Sequence, residues 1–447
     1  MTDTIFAVAT GTERAALSVI RVSGPQAGHM LQQIAGSLPP PRRAVVRRLA
    51  HPVSRETIDQ AMVLWMPGPT SFTGEDVAEL HLHGGRAVQA AAADGLLAAG
   101  ARVAEPGEFS RRAFEHGKLD LAEAEAIADL IDAQSDAQRS QALRQLSGET
   151  SERVDRWRRM LLEALASIEA EIDFPDEDVP DAVDNRAMAP LHKLIGEINA
   201  ALADQRGERI REGYRIALVG APNAGKSSLL NRLIEREAAI VTATPGTTRD
   251  VIEQPIQIGG YEALIADTAG MRDTLDPVEA EGVRRATAWA DAAALRLWVV
   301  DGSASDGAWL QAFGSIRLND VLVLTKSDAP SGHDVGQALN AASQRGLAAI
   351  RASSLTEAGV AELRSFLLER VMADLVGAEA PVVTRARHRR LLSDAKDHLE
   401  RAVSEVNGPE FLAEDVRLAA RSLEAFTGRV DAEAVLGEVF SSFCIGK

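Results

Sequence analysis

The spacing of apolar and polar positions changes character several times along the 447 residues. Over residues 1 to about 118, short β-type runs alternate with turns. Ala-Ala-Leu-Ser-Val-Ile-Arg-Val (15–22), Ala-Met-Val-Leu-Trp-Met (61–66) and Asp76 to His83 predict strands, the second stopped by Pro67-Gly68-Pro69. A small α+β unit is expected here. From Leu119 to about Ala203 the period lengthens to that of a helix. Asp120 is placed to cap a helix whose apolar positions are Leu121, Ala124, Ile127, Ala128 and Ile131. A second helix is predicted over 149–172, broken by the acidic segment Asp173-Phe-Pro-Asp-Glu-Asp-Val-Pro180. Between about 214 and 375 the runs Tyr214 to Val219, Ala263 to Ala266, Leu295 to Val300, Val321 to Leu324 and Ala348 to Arg351 read as buried strands with helices between. That alternation predicts a doubly wound α/β domain. Helical periodicity returns after about 380, at Leu391 to Val406 and Glu414 to Phe426. The two helical blocks are expected to pack as one domain with the middle inserted, because the ends of a compact inserted domain lie close together.

Composition narrows the class. Hydrophobic residues make up 46% and charged residues 25%, the balance of a soluble globular protein. No apolar run approaches the ~18–20 residues of a membrane span. The first ten residues carry no basic segment followed by an apolar one, so no secretory signal is expected. Cys444 is the single cysteine, which excludes an intrachain disulfide framework or cysteine-based zinc site and makes a cytoplasmic location the expectation. The net charge of −17 argues against a generic nucleic-acid coat. Local basic clusters remain: Arg42, Arg43, Arg47 and Arg48; Arg153, Arg156, Arg158 and Arg159; Arg385, Arg387, Arg389 and Arg390. Each reads first as a solvated face paired with the abundant acids.

The middle region carries the chemistry. Gly220-Ala-Pro-Asn-Ala-Gly-Lys-Ser227 lies between a predicted strand and a predicted helix over 226–233. Gly220 and Gly225 let the backbone curl so that the N–H groups of Asn223, Ala224 and Gly225 face a phosphate, with the helix N-terminus behind them. Lys226 is expected to bridge β- and γ-phosphates, and Ser227, followed by Ser228, to hold Mg²⁺. Thr242-Ala-Thr-Pro-Gly-Thr-Thr-Arg-Asp250 reads as a switch loop, with Thr248 (or Thr247) completing the Mg²⁺ shell. Asp267-Thr268-Ala269-Gly270 follows a strand: Asp267 is expected to reach Mg²⁺ through water and the Gly270 N–H to meet the γ-phosphate. Thr325-Lys326-Ser327-Asp328 closes another strand. The Asp328 carboxylate can accept both N–H groups of a guanine edge, which adenine cannot offer, while Lys326 packs along the base. Threonine stands at 325 where most GTPases have asparagine, which puts the loop-tethering contacts of that position in doubt. Ser353-Ser354 matches the loop that touches guanine O6. Met271 occupies the place of the glutamine that positions water in Ras-type enzymes, a task methionine cannot perform. Glu279 and Glu281 are the nearby carboxylates.

With these motifs the sequence resembles the bacterial tRNA-modification GTPase family called MnmE or TrmE. The match spans the chain and includes Phe72-Thr-Gly-Glu-Asp76, His83-Gly-Gly85, Pro106-Gly-Glu-Phe-Ser110, Lys118-Leu-Asp-Leu-Ala-Glu-Ala-Glu125, Asp173-Phe-Pro-Asp176 and Phe443-Cys-Ile-Gly-Lys447. The resemblance implies a multidomain α/β and α fold. Its parts are an N-terminal α+β folate-binding and dimerisation domain (1–118), a helical domain in two parts (119–213 and 376–447), and an inserted Ras-like doubly wound α/β G domain (214–375). It implies GTP hydrolysis coupled to modification of the C5 position of wobble uridine 34 in certain tRNAs. A flavin-dependent partner protein and a tetrahydrofolate one-carbon donor, 5-formyltetrahydrofolate or a relative, are implied with it. Folate contacts are carried over to Arg21, Glu79, Lys118 and Lys447. A K⁺ site is carried over to Asn223 with backbone oxygens around Thr242, Thr244 and Thr247, and Glu279 matches the water-positioning acid. A homodimer whose G domains meet across the nucleotide is implied as well. Cys444 reads either as a reactive thiol near the folate or as a small buried side chain in a packing motif. The reading from a different class is a ribosome-assembly GTPase switch without modification chemistry.

Overall fold

The computed structural model describes residues 3–11, 15–173, 187–234, 253–267, 277–305, 307–332, 334–356, 358–404, 408–430, 437, 439–440, 443 and 446, with the side chains of 277–283, 308, 311 and 312 outside that description. The chain divides into two compact units. One comprises residues 1–131, 144–199 and 390–447, the other 132–143 and 200–389.

The first unit begins with a six-stranded sheet. Its strands are β1 (Ile5–Val8), β2 (Leu17–Ser23), β3 (Val45–Ala50), β4 (Thr57–Met66), β5 (Val77–His83) and the short β6 (Arg102–Val103), in the order β3-β4-β5-β2-β1-β6. All pairings are antiparallel except β1 with β6. Helices α1 (Ala27–Ala35) and α2 (Arg86–Ala98) supply Met30, Leu31, Ile34 and Leu96 to a core with Ile20, Val22, Leu49, Val63, Leu80 and Leu82. Because side chains alternate across a strand, the intervening residues Arg21, Glu79 and His81 fall on the opposite face. The strands β1, β3 and β6 were not predicted; in β3 the pair Arg47-Arg48 interrupts the apolar pattern that marks a strand. Helix α3 (Glu108–Glu115) follows, with Arg112 fully buried.

Helix α4 (Leu121–Asp132) starts as expected. The Asp120 carboxylate accepts the Glu123 N–H and the Glu123 carboxylate accepts the Asp120 N–H, both at 2.8 Å, a reciprocal cap. Its buried face differs from the predicted stripe. Leu121 and Ala124 pack with Phe440 and Phe443, whereas Ile131 is exposed, because that small core covers only the first turns. Then come α5 (Asp136–Leu146), α6 (Glu149–Asp173), α7 (Ala189–Ala203) and α8 (Arg206–Glu212).

The second unit holds the other sheet: β7 (Tyr214–Val219), α9 (Lys226–Ile234), β8 (Glu253–Ile258), β9 (Tyr261–Asp267), α10 (Pro277–Ala292), β10 (Leu295–Asp301), α11 (Ala308–Ser315), β11 (Val321–Thr325), α12 (Val335–Gln344), β12 (Ala348–Arg351) and α13 (Val360–Leu375). The order is β12-β11-β10-β7-β9-β8, and every strand is parallel except β8, an antiparallel edge strand the sequence reading missed. Both faces are covered. Ile216, Leu218, Leu297, Val299 and Val323 pack with Leu229, Leu363 and Leu367 on one side, and Ala217, Trp298, Leu322 and Leu324 with Ala338 on the other. This explains why these strands read as continuous apolar runs.

Helices α14 (Ala386–Val403) and α15 (Pro409–Thr427) follow. Within the first unit α15 packs on α6, through Arg158–Glu424 at 2.7 Å and Arg417–Glu169 at 2.8 Å, and just past its end Arg429 pairs with Asp155 of α6 at 2.8 Å. The helical segments on either side of the second unit therefore do pair.

Candidate functional site

In open parallel sheets, ligands bind outside the carboxyl ends of the strands. Strand β7 ends at Val219 and the chain turns at Gly220, whose φ of +156° sets it against β10: a Cβ there would lie 2.1 Å from the Val299 carbonyl oxygen. Gly225 (φ +93°) makes the second left-handed bend, and Asn223 (φ +62°) sits exposed at the apex between them. Asparagine is among the few non-glycine residues that adopt this conformation readily. Helix α9 then begins at Lys226, aiming its free N–H groups at the loop.

Lys226 is buried and donates to the carbonyls of Gly220 (2.8 Å) and Ala221 (2.9 Å). Burial holds its ammonium below the ordinary lysine range, with Asp267 pulling the other way. Ser227 donates from Oγ to Asp267 Oδ2 at 2.5 Å, while the buried Oδ1 of Asp267 has no partner among the described residues. A serine hydroxyl facing a carboxylate with one orphaned buried oxygen is a donor set suited to a hard cation such as Mg²⁺. Ser228, next on the helix, is exposed.

The adjacent strand end brings together the residues of the Thr325–Asp328 and Ser353–Ser354 motifs. Thr325 is buried, and its hydroxyl lies against two acceptors, the Ala224 carbonyl of the phosphate loop and the Val300 carbonyl at 3.1 Å. The tether left in doubt by the absent asparagine is therefore present, made by a shorter side chain. Lys326 adopts a left-handed conformation (φ +54°) and donates to Asp301 Oδ2 at 2.5 Å. The Ser327 N–H bonds the Ala352 carbonyl at 3.2 Å. Ser353, fully buried, donates to Asp328 and accepts the Leu355 and Thr356 N–H groups at 3.1 Å each. Ser354 is half-buried. Asp328 and Ser353 thus meet although 25 residues apart in sequence.

Sequence reasoning missed Asp301. Its burial raises its pKa, but hydrogen bonds from Lys326 and Ser303 outweigh this and hold the carboxyl below the ordinary range. Its position as the last residue of β10, beside the two motif-bearing strands, was the available signal.

Thr242, Thr244, Thr247, Thr248, Thr268, Ala269, Gly270 and Met271 lie outside the described residues. Glu279 and Glu281 stand in the first turns of α10, but their side chains are outside the description.

In the N-terminal sheet, Arg21 and Glu79 are register partners on β2 and β5, and Arg21 donates to Glu79 Oε1 from Nε (3.2 Å) and Nη2 (3.1 Å). His81 lies 3.3 Å from the other carboxylate oxygen. The Arg21 guanidinium stands over the rings of Phe72 (5.4 Å) and Phe109 (5.8 Å). Lys118 is exposed and reaches the same loop: a Cβ on Gly74 would lie 3.4 Å from its Cε. The loop is anchored from below, with Ser23 bonded to Thr73 (2.7 Å) and Glu75 (2.8 Å), and buried Arg112 clasping Glu75 at 3.1 Å. Gly446 (φ +101°) packs on Val8, where a Cβ would lie 2.5 Å from the carbonyl oxygen. Cys444 and Lys447, on either side of it, lie outside the described residues.

A glycine-bent loop carrying buried Lys226 between strand and helix, a Ser227–Asp267 pair suited to a hard cation and an aspartate bonded by buried Ser353 are the features of one class, a phosphate-loop GTPase. Comparison with known proteins agrees. A profile described as the MnmE helical domain matches residues 121–444, and one described as the N-terminus of the GTP-binding protein TrmE matches residues 4–118. The chain is 56% identical to the tRNA modification GTPase MnmE of Phenylobacterium zucineum over 448 residues, covering all of both chains. The corresponding proteins of Caulobacter vibrioides and Maricaulis maris are 54% and 49% identical, again over the full length of both chains. The chain belongs to the MnmE family of tRNA modification GTPases.

Proposed function

We propose that this chain hydrolyses GTP in the cytoplasm as part of a reaction that modifies C5 of wobble uridine 34 in certain tRNAs. The product is the carboxymethylaminomethyl or aminomethyl group, formed with a flavin-dependent partner protein. The observation that carries the nucleotide part is the Lys226–Ser227–Asp267 cluster beside Asp328 and Ser353. Lys226 exchanges its two loop carbonyls for β- and γ-phosphate oxygens. Ser227 and Asp267, with Thr248, hold Mg²⁺, which neutralises phosphate charge. Asn223 and the Thr242, Thr244 and Thr247 segment would hold K⁺, which would supply positive charge against the negative charge that develops on the phosphates, the task an arginine finger performs elsewhere. The Gly270 N–H meets the γ-phosphate, and Glu279 orients the attacking water in place of the glutamine that Met271 replaces. Asp328, Lys326 and Ser353–Ser354 select guanine.

The domain assignment is an N-terminal folate-binding and dimerisation domain at 1–118, helical parts at 119–213 and 376–447, and an inserted G domain at 214–375. The position of residues 200–389 between two stretches of the first unit supports that insertion. Arg21, Glu79 and Lys118, with Lys447, form the folate site. The half-buried Arg21–Glu79 pair beside Phe72 supplies a cation, a carboxylate and an aromatic face, the groups a pterin with a glutamate tail can use. Bound 5-formyltetrahydrofolate supplies the one-carbon unit. The working form is a homodimer whose G domains meet across the nucleotide. Among the described residues no helix is long and apolar enough to cross a membrane.

Hydrolysis measured in matched K⁺ and Na⁺ buffers tests the ion assignment. Faster turnover in K⁺, lost in Asn223→Ala, is expected; equal rates in the two salts with an unaffected variant would remove the K⁺ site. Glu279→Ala should lower kcat by roughly 10²–10⁴-fold with GTP affinity nearly unchanged.

A further inference from the structure

The three arginine clusters of the sequence differ in what they touch. In α6, Arg158 is bound to Glu424 at 2.7 Å and Arg153 stacks over Trp157 at 5.5 Å. Arg389 at the start of α14 is bound to Glu208 at 2.6 Å. The cluster at β3 behaves otherwise. Arg42 donates to the Thr70 carbonyl and hydroxyl, Arg48 to the Thr57 hydroxyl, and Arg47 to the Val46 carbonyl. Among the described residues none of these three, nor Arg43, is paired with a carboxylate.

Two features make this local rather than accidental. Residues 14–55 contain no Asp or Glu, in a chain with 65 of them. The cross-strand partners of Arg47 and Arg48 are Ala61 and Gln60, and the nearby Asp59 is engaged with the backbone and ring of His83 at 2.8 Å each. β3 also ends the sheet order, so among the described residues its outer edge pairs with no strand. Arg42, Arg43 and Arg48 are exposed there, and Arg47 is half-exposed. The charges are all arginine, the side chain whose planar fork grips phosphate oxygens in pairs.

We infer that the β3 edge, through Arg43, Arg47 and Arg48, is a docking surface for the phosphate backbone of RNA. This rests on the reading that the chain acts on tRNA, and gives that substrate a location. A second copy is disfavoured by charge: a two-fold contact along this edge would set the same arginines against each other. Arg42 belongs to the surface but also braces the Thr70 loop from a left-handed backbone (φ +59°), so it is left intact in the test.

The test uses the full chain, unfractionated tRNA and filter binding from 50 to 200 mM salt. R43Q/R47Q/R48Q should bind roughly tenfold or more weakly, and the slope of log affinity against log salt should fall by about 2–3. R43K/R47K/R48K should keep most of the slope. GTP hydrolysis without RNA should be unchanged in both, which reports correct folding. Unchanged affinity and slope in the glutamine variant overturn the surface while leaving the tRNA reading standing. Absence of tRNA binding by the unaltered chain overturns both. Dissociation of a dimer in the glutamine variant, with tRNA binding unchanged, would assign the edge to a second copy and also overturn it.

Discussion

The two sheets of this molecule organise chemistry in opposite ways. In the second unit the strands are parallel and buried on both faces, so side chains on the faces are committed to packing. The candidate nucleotide site is left to the strand ends, where backbone groups and helix N-termini are free, and its residues come in short runs, 220–227, Asp267, 325–328 and Ser353, that the parallel strands bring together. In the N-terminal sheet the strands are largely antiparallel, and helices α1 and α2 cover one face. The proposed folate contacts lie on the other face, where Arg21 and Glu79 meet across strands 58 residues apart. A site at strand ends is built by the backbone and tolerates few alternatives at its glycines. A site on a sheet face is built by side chains and depends on register.

Substitutions should separate the two. Lys226→Ala removes a buried cation from the phosphate site and should cost about 2–5 kcal/mol of GTP affinity, with folate binding unaffected. Arg21→Ala should do the converse. It should weaken 5-formyltetrahydrofolate binding by about 1.5–3 kcal/mol in calorimetry and leave GTP affinity within about twofold. Loss of both ligands in either variant would mean that the sites are not independent. Thr325→Val keeps shape and removes the tether between base corner and phosphate loop. Roughly tenfold faster GDP release is expected, and Thr325→Asn should restore slow release; release as slow in the valine variant would make the hydroxyl contacts incidental.

The smallest effect concerns Asp301. Its carboxyl is held below the ordinary range in the folded chain, so its contribution to stability is present above the unfolded value of 3.8 and fades as pH falls through the folded one. Asp301→Asn should therefore lower the melting temperature slightly at pH 7. The gap should close below about pH 4. A gap that persists in acid would mean packing rather than charge.

The same contrast explains what the sequence could disclose. The strand Tyr214–Val219 was predicted to the residue, because a buried parallel strand is a continuous apolar run bounded by turns. The edge strand Ala348–Arg351 was also predicted to the residue, since its first three positions are apolar. The edge strands β8 and β3 lack that signature: β8 carries Glu253, Gln254, Pro255 and Gln257, and β3 carries Arg47 and Arg48. The phosphate loop was legible because it is contiguous. The Thr325 tether was not, since whether a shorter side chain reaches Ala224 depends on the distance between two loops. Arg21 and Glu79 came only from family resemblance, because residue spacing does not encode which strands are neighbours. The β3 arginines were visible as a cluster, but only the structure showed that, among the described residues, none of them pairs with a carboxylate, whereas Arg158 of α6 and Arg389 of α14 do.

The central assignment is a GTPase whose purpose is tRNA modification, and nucleoside analysis tests it most directly. tRNA from cells lacking this protein should carry unmodified C5 at wobble uridine 34, with the modification restored by the intact chain and not by Lys226→Ala. Wobble uridines still fully modified at C5 in those cells would contradict the assignment.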